Sequence, residues 1–229
     1  MGTIYSTFET RIRLDLSDSG SPPLLAAADL DRHVDHAVRD LALVAPLDLL
    51  LTATLTPASR SVDLTATLSP YQLIRLDAVE WPTGKYPQEF VQFMLFGEQT
   101  GAPTLTLLVE QAPSTADTIN LYCKVAPVVT GASNTSTLPQ RYDDVVALGA
   151  GGYAAQELAT RLMNQINIGG PAVWEHYIAL SEKLLADFGQ ELDLLAGREQ
   201  FFARRMYTPA YPPQGISQSE VYPPETLWP

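Results

Sequence analysis

Two histidines on one predicted helix are the residues whose types and spacing come nearest to a chemical site. His33 and His36 are three residues apart and Asp29 precedes His33 by four, so all three lie on one helix face. Such a set can begin a zinc site, but zinc needs a further ligand that converges from elsewhere. The only other histidine, His176, lies in a different predicted helix, and the single cysteine, Cys123, lies in a predicted strand. We therefore interpret this face as a solvated polar surface and predict no metal.

Motifs for nucleophilic catalysis or phosphate binding are missing from the sequence. No G-x-S-x-G is present, and no serine is placed beside a histidine by its sequence context. The glycines Gly149, Gly151 and Gly152 do not form a phosphate loop, because no Lys-Ser/Thr pair follows and no predicted strand leads into them. We expect that the protein is not an enzyme and that it uses no cofactor.

The basic side chains form only one cluster, made by Arg198, Arg204 and Arg205. One hypothesis is that these cations meet DNA phosphates or an acidic partner surface. The alternative, which we favour, is the end of a C-terminal helix, where cations are stabilised by the helix dipole.

Composition and charge exclude several classes of protein. The chain has 229 residues, 46% of them hydrophobic, and a formal net charge of −12, which argues against wrapping nucleic acid. The longest apolar stretch, Leu41 to Leu51, is broken by Pro46 and Asp48 and is too short to span a membrane. The N-terminus shows no basic segment followed by an apolar run, so we expect a protein without membrane contact that is made in the cytoplasm. Cys123 lies on an apolar strand face, and we expect it to be buried.

Hydrophobic periodicity predicts helices near both ends of the chain and strands between them. The predicted helices cover residues 3–15, 27–44 (ended by Pro46), about 139–165, and a fourth that starts at Pro171. Period-two alternation predicts antiparallel strands between residues 47 and 129. The predicted strands are 51–56, 62–68, 73–81, 90–96, 104–110 and 118–126.

The third helix is rich in small residues, and the fourth carries an apolar seam. Small side chains let a second backbone approach closely, either within the fold or in a neighbouring subunit. The candidate helix-packing or subunit-packing residues are Gly149, Gly152, Tyr153, Trp174 and Tyr177.

The expected fold class is α+β, with a bundle of about four helices drawn from both ends of the chain and an inserted antiparallel β domain that resembles a sandwich or barrel. The expected domains are residues 1–46 with 138–206 for the helices, 47–129 for the β domain, and 130–137 for a linker. Residues 207–229 form a proline-rich segment. Its two interpretations are disorder and an extended arm whose aromatic side chains dock on a neighbour.

The order of these segments resembles phage head–tail connector (adaptor) proteins, the ring-forming neck components below the capsid portal. The features that carry the resemblance are the helix from Asp29 to Pro46, the β block, the segments 125–130 and 138–150, and the Trp174-x-x-Tyr177 helix. The resemblance implies no catalysis, a homo-oligomeric ring of twelve copies matching the portal, and location in the virion neck after synthesis in the host cytoplasm. It also implies a C-terminal segment that docks on the portal; the candidate docking residues are Tyr207, Tyr211, Tyr222 and Trp228.

We therefore expect a structural protein that contacts the portal and tail or neck proteins and lets double-stranded DNA pass through its lumen. A head-closure or tail-terminator ring protein is one alternative, although the large helical share favours the adaptor. A ligand-binding β module with helical flanks is another. That module would need aromatic side chains clustered on one sheet face, and its candidates are Trp81, Tyr86, Phe90, Phe93 and Phe96.

Overall fold

The computed structural model describes residues 4–18, 20–97, 102–131, 134–163 and 173–202. The chain divides into two units, Met1–Ala196 and Gly197–Pro229, and the packing discussed below belongs to the first. The described helices are α1 Tyr5–Asp15, α2 Ala27–Val44, α3 Thr65–Leu68, α4 Asp143–Leu162 and α5 Val173–Phe202, with a 3₁₀ turn at Gln140–Tyr142. The described strands are β1 Leu47–Leu55, β2 Ser61–Asp63, β3 Gln72–Glu80, β4 Phe90–Val91, β5 Phe93–Phe96, β6 Thr104–Leu107, β7 Asp117–Ala126, β8 Val129–Thr130 and β9 Thr135–Ser136.

Helix α2 shows how the apolar pattern determines an element. Its buried residues recur every three or four positions on one face, and they include Leu30, Val34 and Leu41. The helix ends just before Pro46, because a proline disfavours helical backbone at the residue before it. The predicted bounds of this helix are confirmed.

The predicted bundle of about four helices from both chain ends is wrong. The structure is α+β with five described α-helices, and these lie mostly in the N-terminal and central parts of the chain. One of them, the four-residue α3, lies inside the β region. The helical core is built from α1, α2 and α4, and α5 adds only one described buried apolar side chain, Phe188. The apolar seam of α5 is only half-buried, which its periodicity alone did not reveal.

Helix α3 replaces the second half of a predicted strand. The alternating run from Val62 to Leu68 forms a strand only as far as Asp63. There the Asp63 carboxylate accepts hydrogen bonds from the Thr65 N–H at 2.8 Å and the Thr65 hydroxyl at 2.6 Å. This local side-chain bond turns the backbone into a helical turn, because Asp offers the chain an alternative to the strand ladder.

The β region contains two antiparallel sheets with a common apolar core. The first sheet has the strand order β1-β7-β3-β4 and the second has the order β2-β6-β5. The inward-facing side chains come from both sheets, and they include Leu55, Leu105, Leu121 and Cys123. Burial raises the pKa of Cys123 to about 11, so the thiol stays protonated and unreactive at neutral pH.

Pairing register determines which residues share the outer face of the first sheet. Leu50 lies opposite Tyr122, while Thr52, Asn120, Glu80 and Phe90 form one row across all four strands.

The segment 130–137, predicted as a linker, contains parts of the short antiparallel pair β8–β9. None of the described helices is long and apolar enough to cross a membrane.

Candidate functional site

The contact between α2 and α4 holds a cluster of charged side chains. His33 on α2 is 8% exposed, and its Nε2 lies 2.6 Å from a carboxylate oxygen of Glu157 on α4. Arg32 also contacts Glu157, while Arg161 contacts both Glu157 and Asp29. The interpretation of this face as a solvated surface is therefore wrong for His33, which ties two helices together.

The His33–Glu157 pair has a defined protonation state at neutral pH. Burial lowers the pKa of His33, although the Glu157 carboxylate opposes this effect. Burial by itself raises the pKa of Glu157, but the His33 hydrogen bond and the Arg161 charge outweigh it and hold that pKa below its ordinary value. A neutral imidazole that meets a carboxylate must donate, so the proton is on Nε2 of His33.

Tyr153 extends this contact along α4. Its hydroxyl donates to the Asp40 carboxylate at 2.5 Å, and its ring stacks on His36 with a centroid distance of 4.1 Å. Burial and the bond to Asp40 raise the pKa of Tyr153 to about 12. The other edge of the ring meets Phe188 of α5 at a centroid distance of 6.5 Å. Tyr153 therefore contacts both α2 and α5.

A groove of about 500 Å³ lies along this contact. Its lining includes His33, His36, Arg39, Tyr153 and Glu157. Each of the two carboxylates in the lining pairs with an arginine, Asp35 with Arg39 and Glu157 with Arg32. Within the described ranges, no group of three or more His, Cys, Asp or Glu side chains is arranged to hold a metal ion.

The small residues of α4 lie where α5 approaches. A Cβ atom built at Gly149 would be 2.9 Å from the ring of Phe188. At Gly152 it would be 2.8 Å from the Leu185 side chain and 3.3 Å from the Leu185 backbone nitrogen. Real Cβ contacts are not this short, so both glycines allow the close approach of α5.

The other candidate packing residues lie on α5. Tyr177 is half-buried, and its hydroxyl donates to the Leu16 carbonyl oxygen at 3.4 Å, which connects α5 to the end of α1. Burial, together with the charge of Asp18, raises the pKa of Tyr177. Trp174 is half-buried in the first turn of α5.

Several predicted site residues are outside the described part of the chain. Arg198 belongs to α5, but its side chain is not among those described. The remaining residues of the basic cluster and the arm lie outside the described ranges: Arg204, Arg205, Tyr207, Tyr211, Tyr222 and Trp228.

The aromatic residues proposed for a ligand-binding β module do not lie on one surface. Trp81 donates its indole N–H to Asp117 at 2.9 Å, and Phe93 packs partly buried against the β core. Phe90 contacts Tyr122 on the outer face of the first sheet. Phe96 is exposed on β5 of the second sheet. These aromatic side chains are therefore spread over the core and two sheets and do not form the single surface that this alternative requires.

Two buried carboxylates were not singled out from the sequence. Asp18 accepts hydrogen bonds from Arg13 and from the backbone N–H groups of Leu24 and Leu25, which holds the loop between α1 and α2. Glu80 accepts hydrogen bonds from Asn120 and Tyr122. No local spacing indicates the partners of Glu80, because its bonds join positions at least 40 residues apart.

No known family model matches the sequence, and no curated protein matches it.

Replacing Gly149 by alanine should destabilise the fold. The new methyl group would collide with the ring of buried Phe188, and overpacking of this kind costs about 1–3 kcal/mol. Gly189→Ala on α5 is the matched control, because a Cβ there meets nothing within 4 Å. Removing that helical glycine should raise the free energy of unfolding by about 0.5–1 kcal/mol. Urea unfolding measures both changes, and a Gly149→Ala variant as stable as Gly189→Ala would contradict the close packing.

Acidification should weaken the α2–α4 contact through His33. The unfolded chain takes up a proton at this residue below about pH 6.5, whereas burial keeps the folded imidazole neutral to lower pH. The unfolded state therefore binds more protons, and stability must fall as the pH drops below about 6.5, by at most about 1.4 kcal/mol per pH unit for this site. The lowered pKa of Glu157 acts with the same sign below about pH 4.5.

His33→Gln keeps a donor for Glu157 but cannot titrate, so it should flatten the decline in stability between pH 7.5 and 5.5. Urea unfolding at several pH values measures this slope. The same substitution at His176, which is exposed on α5, is the control. A slope that is unchanged in His33→Gln would show that other groups cause the acid sensitivity.

Proposed function

We propose that this protein is a structural virion subunit that forms an oligomeric ring joining the capsid portal to the tail. Double-stranded DNA passes through the lumen of that ring. The observation that carries the proposal is the order of elements along the chain: two helices, a two-sheet β region, and then two long helices.

The element boundaries support the resemblance to head–tail adaptors. Helix α2 ends before Pro46 and β1 begins at Leu47, where the resemblance places the change from helix to β block. After β7 the chain passes through the β8–β9 pair and a 3₁₀ turn into α4, so the segment 138–150 spans the 3₁₀ turn Gln140–Tyr142 and the beginning of α4 at Asp143. Trp174 and Tyr177 then lie in the first turns of α5.

The charge of the chain suits a surface past which DNA moves. A net charge of −12 repels phosphates, so a channel lined by this protein would not retain DNA. In this proposal the DNA makes no sequence-specific contact with the ring.

The C-terminal segment is the proposed portal-docking arm. Tyr222 and Trp228 lie among prolines, which restrict the backbone and so reduce the entropy lost on binding. Aromatic anchors of this kind typically dominate a binding interface, and truncating one costs about 2 kcal/mol or more.

The full-length chain should form a ring on the portal of its own virus, visible by electron microscopy and measurable as a defined mass increase. The double variant Tyr222→Ala with Trp228→Ala should bind the portal at least about tenfold more weakly, because it loses two anchors. Ser217→Ala in the same segment is the control and should bind like the natural chain.

If neither the natural chain nor its variants bind the portal, the adaptor proposal is refuted. Portal binding that is unaffected by the double aromatic variant would leave the ring intact and move the docking site away from the arm.

A further inference from the structure

We draw no further inference here: the strongest candidate, the groove of about 500 Å³ between α2 and α4, belongs to the site already described, and because its arginines Arg32 and Arg39 are paired with Glu157 and Asp35, nothing in the structure shows which ligand it would hold.

Discussion

The packing of the helices depends on the small side chains of α4, which let neighbouring helices approach its backbone closely. Gly149 and Gly152 leave no room for even a methyl group against Phe188 and Leu185, so α5 can approach the α4 backbone. On its other side α4 packs against α1 and α2, and its buried side chains are mostly small. The glycines in the interior of α4 weaken its intrinsic preference for helix, each by about 1 kcal/mol relative to alanine. The helix is stable as the centre of a packed layer, where its neighbours supply the large side chains.

Polar contacts then select one arrangement of α2 on α4. His33 with Glu157, Tyr153 with Asp40, and Arg161 with Asp29 are matched pairs that a shifted helix would break. A half-buried charge without its partner is costly, so these pairs discourage sliding of one helix along the other.

The β region follows a different principle, since its two sheets bury one common core but leave strand edges open. A closed barrel would remove those edges, whereas the orders β1-β7-β3-β4 and β2-β6-β5 keep them. Repulsion between copies that each carry a net charge of −12 opposes indiscriminate aggregation through these edges.

The sequence by itself determined the elements whose signal is local. The apolar repeat of α2 and its end before Pro46 follow from neighbouring residues, as does the alternation of β7 that buries Cys123. Tertiary structure decided the rest, because it brings together groups that are far apart in the chain. In the folded protein His33 is buried and contacts Glu157, although the sequence predicted a surface residue. Helix α5 is half-buried and is not an equal member of a bundle. Such contacts depend on packing between helices, which no spacing within one segment encodes.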